Sequence, residues 1–253
     1  MFLDGIRNFG NYYRDSFNLQ QIEVLEGPSS ILFGRGSTGG VINQVSKLPS
    51  LDSFVSGTLT LGSDLTRRAR VDLNEQLPEL AEGAAFRMTA MGHQQRHAGR
   101  NVASESRYGF APSLALRLGT PTRLTVAYFH QSADDVPDYG LPWFGSAPAP
   151  VPRQNFYGFT TDFHKTSVDV VTFKAEHDYT ARFTVQNQLG AEYGAGGSQT
   201  RHPVRARHGA AATRPRRAGP SVSRPAGERL SIIFSGCGRI PNAAPFRAGR
   251  ARL

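Results

Sequence analysis

Between residues 53 and 190, apolar and polar side chains alternate with a period of two in one segment after another. In RRARVDLNE (67–75), Ala69, Val71 and Leu73 alternate with Arg68, Arg70, Asp72 and Asn74. In RYGFAPSLALRL (107–118), Tyr108, Phe110, Leu114, Leu116 and Leu118 share one face of an extended chain. Gly109, Ala111, Ser113, Ala115 and Arg117 share the other. RLTVAYFHQ (123–131) repeats the scheme through Leu124, Val126 and Tyr128, and RFTVQNQL (182–189) through Phe183, Val185 and Leu189. With SFVSGTLTLG, AAFRMTAMGHQ and SVDVVTFKAEH, the pattern predicts roughly seven strands of about 9 to 12 residues.

Strands of that length suit a tilted crossing of a bilayer, with lipid on one face and a polar lumen on the other. The alternative is a soluble antiparallel sandwich, whose strands run nearer about 5 or 6 residues. Connections near 78–82, 119–121 and 178–181 are short, and those near 97–105 and 134–165 are longer. Alternating short and long connections favour one wall of a barrel. That wall predicts Val71, Leu73, Phe110, Leu114, Leu116, Val126, Tyr128, Phe183 and Val185 outward. It predicts Arg70, Asp72, Ser113, Arg117, Thr184 and Gln186 on the inner side.

Residues 1–48 have a different pattern, compact and punctuated by glycine. QIEVLE (21–26) predicts a strand, Gly27-Pro28 a turn, and SSILF (29–33) a short helical turn capped by Ser29. Gly34, Gly36 and Gly39 have the G-x-G-x-x-G spacing of a dinucleotide-binding turn. The next segment, however, is VINQVSK (41–47), a strand pattern. Without a helix N-terminus there is no cluster of free N–H groups to hold a pyrophosphate. The glycines instead let the chain reverse tightly.

Little other chemistry is legible. Cys237 is the single cysteine, too few for a disulfide within the chain or for a zinc site. His93 and His97 are four apart, but Gln94 and Gln95 stand where a metalloprotease has its glutamate, so they read as polar residues near a strand end. G-x-S-x-G, H-E-x-x-H and a complete P-loop are all missing, so no enzyme is expected. The loop at 133–164 is long enough to be functional. Tyr139, Trp143, Phe144, Phe156, Tyr157 and Phe159 sit in it among prolines. They predict either a loop packed on itself or at a membrane interface, or a stacking surface for an aromatic ligand.

Mean hydropathy is −0.37, and no apolar run is long enough for a transmembrane helix, which leaves a β-barrel open. MFLDGIRNFG lacks the basic start and apolar run of a secretory signal peptide. The net charge of +9 belongs entirely to the tail. Residues 191–253 hold 12 Arg, no Lys and two acids, or +10, leaving 17 basic and 18 acidic residues, or −1, for 1–190. Periodicity stops at about 191. Three readings compete: a basic nucleic-acid arm, which lacks aromatics for base stacking; a disordered linker; and out-of-frame translation of a GC-rich coding sequence, which this residue mixture favours. On that third reading, 196–253 should hold only coil or short elements, and no nucleic-acid partner is expected.

The stretch FLDGIRNFG…RDSFNLQQIEVLEGPSSILFGRGSTGGVINQVSKLP resembles the C-terminal half of the plug of TonB-dependent outer-membrane receptors, specifically ferric-siderophore receptors. The alternating strands resemble the first third of that family's barrel, and DVPDYGLPWF…PRQNFYGF a long extracellular loop of catecholate-type members. The resemblance implies a mainly β fold: a small α+β plug remnant at 1–48, about seven of the family's 22 strands at 49–190, and a disordered tail at 191–253. It implies TonB-dependent uptake of a ferric siderophore across a Gram-negative outer membrane. The partners are then siderophore, TonB complex and outer-membrane lipid; iron is carried only as ligand, with no resident cofactor. The family's outward plug loops contact the siderophore, which by position places binding at Gly10, Asn11, Tyr12, Tyr13 and Arg14, with Tyr139 and Trp143 from the long loop. Tyrosines can stack on a chelate and Arg14 would complement its charge; the bland reading is a solvated or barrel-facing loop.

Three departures stand against the family pattern. A signal peptide, the TonB-contacting segment and the first half of the plug are not found in this chain. Glu26 precedes Gly27-Pro28, where the family usually has a basic residue able to pair with barrel carboxylates. About seven strands cannot close, and lipid cannot satisfy an open edge. The expectation is a fragment that does not transport alone; the different-class alternative is a soluble β-rich binding or adhesion protein with a basic arm.

Overall fold

The structure, a computed structural model, describes residues 1–7, 12–27, 39–144, 146–159, 161–180, 183–199 and 226–238. It contains a small sheet and a large one. The small sheet is built from β1 (Phe2–Leu3), β2 (Ile6–Arg7), β3 (Leu19–Glu26) and β4 (Gly40–Ser46), in the order β2-β1-β4-β3. β1 joins β4 in parallel, and the other pairs are antiparallel. QIEVLE and VINQVSK are strands as expected, and β4 starts at Gly40 rather than opening a helix. Gly40 has φ +136°, and a Cβ there would meet the Leu25 carbonyl oxygen at 2.7 Å. A side chain would push β3 and β4 apart, so this glycine serves strand pairing. Ser29, the helical turn at 29–33, Gly34 and Gly36 lie outside the described residues.

Two features here escape the sequence reading. β1 and β2 are two residues each, too short to show periodicity. A 3-10 turn at Ser16–Asn18 is N-capped by Asp15, whose carboxylate accepts from the Phe17 amide. Among the described residues this turn is the helical part of the small unit.

The large sheet contains β5 (Phe54–Leu61), β6 (Arg67–Gln76), β7 (Ala85–Arg96), β8 (Ser104–Leu116) and β9 (Thr122–Val136). After the short hairpin of β10 (Trp143–Phe144) and β11 (Ala147–Pro148), it continues with β12 (Phe163–Thr180), β13 (Phe183–Gln199) and β14 (Ala226–Gly238). The spatial order is β14-β13-β12-β9-β8-β7-β6-β5, every neighbour antiparallel. It is one open meander, not two packed sheets. The seven expected strands are all present between 54 and 199, but they run from 8 to 18 residues. Several extend past the apolar band through polar stretches such as Ser132–Asp135 in β9, which ladder pairing keeps extended without alternation to announce it.

Register fixes two faces. Phe86, Leu114, Val126, Phe173 and Leu189 form one outward row across five strands. Arg70, Met91, Gly109, Gln131 and Val168 form an inner row, facing the small unit. Val126, Phe183 and Val185 are exposed outward as expected, and Ser113 is buried on the inner side. Arg117 is a correction. β8 ends at Leu116, and Arg117 turns the chain with φ +60°, exposed to solvent. It lies in a turn and on neither face.

The tail also differs from expectation. Residues 226–238 form a thirteen-residue strand antiparallel to β13, from Phe183↔Gly238 to Gly194↔Ala226. β13 would otherwise leave a row of unpaired backbone groups at the edge, which any extended segment can satisfy irrespective of side-chain pattern.

Candidate functional site

The small unit touches the large sheet chiefly through residues 12–18. Phe17, 2% exposed, packs with Met91, Ala111 and Phe129, and its ring stacks on Phe129 at 5.6 Å. Gly109 makes room: a Cβ there would lie 2.9 Å from the Phe17 ring. Asp15 is held by two residues of the large sheet. Its carboxylate takes two hydrogen bonds from the Arg68 guanidinium, at 2.9 and 2.6 Å. Its amide donates to Gln131 Oε1 at 3.0 Å, and Gln131 Nε2 donates to the Tyr13 carbonyl at 2.6 Å. Thr89 Oγ1 donates to Asn18 Oδ1 at 2.9 Å. Charge-assisted, buried bonds of this kind fix a loop's position rather than merely its proximity.

Below this, Lys47 donates to the Phe17 carbonyl at 2.9 Å and pairs with Asp72 at 2.9 Å. Arg87 grips the same Asp72 through Nε and Nη2 at 2.9 and 2.8 Å, and donates to the Leu48 carbonyl. A cavity of about 650 Å3 remains between the two units, bordered by Asp4, Arg14, Glu23, Lys47 and Lys174 among others. Asp4 accepts from the Ser46 amide and hydroxyl, each at 2.7 Å; burial nonetheless raises its pKa above the ordinary aspartate value.

At the end of the sheet with the longer loops, Arg107 is bound by Asp135 and Glu105, at 2.8 and 3.0 Å. The Tyr13 ring covers its guanidinium at 3.9 Å and remains 51% exposed. The result is an exposed aromatic face on a cation already paired with two carboxylates, suited to stacking by a flat ligand.

The predicted site residues separate. Tyr13 is at this mouth. Arg14 is not: its Nη1 donates to Gln44 Oε1 at 2.8 Å and its Nη2 to the Tyr12 hydroxyl, so it faces the cavity within the small unit. Tyr12 accompanies it. Gly10 and Asn11 lie outside the described residues. Tyr139 is half-buried against Phe156 in its own loop, with Asp162 close enough to raise its hydroxyl pKa after burial. Trp143 is 66% exposed on the β10–β11 hairpin. Arg100 braces that loop, pairing with Asp138 at 2.8 Å and donating to the Arg153 carbonyl.

Arg68, Arg107, Glu105 and Gln131 were not singled out from sequence for this site. Their one legible signal was parity: Arg68, Arg107 and Gln131 occupy inner-face positions where a lumen-facing strand permits charge.

Residues 1–41 match the family model "TonB-dependent Receptor Plug Domain". The chain is 36% identical over 201 residues to "Catecholate siderophore receptor Fiu" of Escherichia coli (strain K12), covering 74% of this chain and 26% of that protein. It is 38% identical over 196 residues to "Probable TonB-dependent siderophore receptor PiuA" of Acinetobacter baumannii, with the same coverage. The crystal structure of the siderophore receptor PiuA from Acinetobacter baumannii superimposes with a TM-score of 0.73 at 36% identity, covering 79% of this chain and 29% of that one. The chain belongs to the TonB-dependent receptors. It spans about a quarter of the length of the relatives it matches, 26% in each of these two. The contacts of Phe17, Asp15 and Tyr13 thus join the plug-matching segment to the inner face of the strand wall.

Proposed function

We propose that this chain is part of an outer-membrane receptor that takes up ferric siderophores with energy from a TonB complex. The observation that carries the reading is its similarity to two siderophore receptors over about three quarters of its own length. Tyr13 on Arg107 and the exposed Trp143 supply ligand surface consistent with it. Iron enters as part of the ligand, and the chain contributes binding surface rather than bond chemistry.

Lipid is the proposed partner of the outward face. The row Phe86–Leu114–Val126–Phe173–Leu189 would lie in hydrocarbon. Tyr108, Phe110, Tyr128 and Tyr193 toward the long loops, and Tyr179 with Phe183 at the short turns, would form the two interfacial belts. On this reading 1–48 is plug and 49–190 barrel wall. The tail from 191 remains, on composition, out-of-frame sequence, despite the pairing of β14. Reading the coding DNA in the other two frames past codon 190 tests that, since a true continuation brings further alternating strands. The open edge at β5 leaves backbone groups that lipid cannot satisfy, so these 253 residues alone are not expected to restore iron uptake to a receptor-deficient strain.

Trp143 is the single tryptophan, which makes the binding test direct. A ferric catecholate complex added to the chain in detergent micelles should quench its fluorescence saturably. Tyr13→Ala should weaken binding about tenfold, or roughly 1.4 kcal/mol, and Tyr139→Phe should not. Absence of saturable quenching in the folded chain would overturn the proposal.

A further inference from the structure

His93 stands between the two arginines that hold the plug segment. In the strand register it is opposite Arg68 of β6 on one side and Arg107 of β8 on the other. Its side chain is 10% exposed, and its Nδ1 is buried without a hydrogen-bond partner. Its Nε2 stops 3.7 Å short of Glu105 Oε2. The other oxygen of Glu105 is 3.1 Å from His97 Nε2, and Arg107 is 3.0 Å from this same carboxylate. The charged groups around His93 are therefore Arg68 and Arg70 on β6, Glu105 and Arg107 on β8, Asp135 behind Arg107 on β9, and Asp15 from the plug. His97, Arg96 and the Asp64 turn lie at the strand end.

We infer that His93 is a proton-sensitive latch between plug and wall, which holds residues 13–18 when neutral and releases them when protonated. With the imidazole neutral, Asp15 engages Arg68, and Asp135 and Glu105 both engage Arg107, so each guanidinium has a carboxylate partner. A proton places a third cation between two guanidinium-bearing strands that run about 4.8 Å to either side. The carboxylate within its reach, Glu105, already serves Arg107 and His97. The imidazolium therefore draws Glu105 away from Arg107 and repels Arg68. The support under Tyr13 and the clamp on Asp15 weaken together. The sign is definite: the latch is closed above the His93 pKa and lost as pH falls through it. Nothing here depends on which ligand the mouth binds.

Hydrogen exchange on the whole chain in detergent micelles tests the latch. Protection of the Tyr13–Asn18 amides, corrected for intrinsic rate, is compared between about pH 7.5 and about pH 5, a range extended below that of a free histidine because two guanidinium groups crowd the ring. A loss of about tenfold is expected, the effect of losing one charge-assisted hydrogen bond. Central β8 amides should keep their protection. His93→Gln should keep neutral-pH protection and abolish the acid loss, while His97→Gln, on a more exposed side chain, should retain it. His93→Asn repeats the test with a smaller side chain should glutamine disturb the strand, as the β8 amides will report. An unchanged wild-type protection, an acid loss surviving in both His93 variants, or equal loss in β8 would each overturn the inference.

Discussion

Single residues do most of the locking between plug and wall, and their energetics are separable. Phe17 contributes apolar burial: Phe17→Ala should cost about 3–5 kcal/mol, read as a lower urea midpoint for loss of plug protection. Arg107 works differently, because two carboxylates depend on it. Arg107→Ala strands Asp135 and Glu105, at a cost of about 3–5 kcal/mol, more than the Tyr13 contact alone could account for. Asp4 makes a pH prediction of its own. Burial raises its carboxyl pKa even though Ser46 donates twice to it. A raised acid favours the protonated fold, so the small sheet gains stability below the folded-state pKa and gives it up as pH rises through that value. Carboxyl-carbon NMR titration, assigned with Asp4→Asn, should place the midpoint above about 3.9. A midpoint at or below that would remove the burial argument. This dependence runs opposite to that of the His93 latch, so the two can be distinguished in one titration series.

At the scale of elements, the wall's accommodation of the plug rests on β8. Gly109 lies where Phe17 and the His130 carbonyl oxygen both approach within 2.9 Å of a notional Cβ. Gly109→Val should therefore displace the 3-10 turn and loosen the β8–β9 pairing beside His130, while the β6–β7 ladder, which the new side chain does not meet, stays protected. Hydrogen exchange showing plug and ladder lost together would mean that the turn and wall form one cooperative unit. The long loop is a second element with its own logic. Arg100 reaches across from the β7–β8 connection to Asp138 and two loop carbonyls, and so sets where the hairpin bearing Trp143 stands.

At the scale of the molecule, the proposed placement has the two faces of one sheet meet different solvents. Val126 is exposed in the middle of an apolar row, and Gln186 is on the inner side of β13. Val126→Arg should oppose folding into lipid bilayers by about 2–4 kcal/mol near the midplane, whereas Gln186→Arg should change it by less than about 0.5 kcal/mol. Protease protection after refolding into vesicles measures both. Equal tolerance of the two charges would argue that the outward face is not lipid-facing.

The sequence alone made legible the seven strands of the large sheet between 54 and 199, and which side chains share a face. A period of two is a local property, and Val71, Leu114 and Val126 display it without reference to any partner. It also determined β3, β4 and the family, through a long run of residues rather than through the glycine spacing. What it could not determine was pairing across distance. The bonds of Asp15 with Arg68, of Gln131 with Tyr13 and of Phe17 with Gly109 join positions 53 to 118 residues apart, and no local pattern encodes such a partner. For the same reason Arg14, credible as a ligand for an anionic chelate, turns to Gln44 instead, and Tyr139 to Phe156. β14 shows the converse: an open edge can order a segment whose own side chains offered no reason to expect a long strand. Side-chain periodicity sets the faces, but only the folded chain decides which charges are already engaged and which surface is left for a ligand.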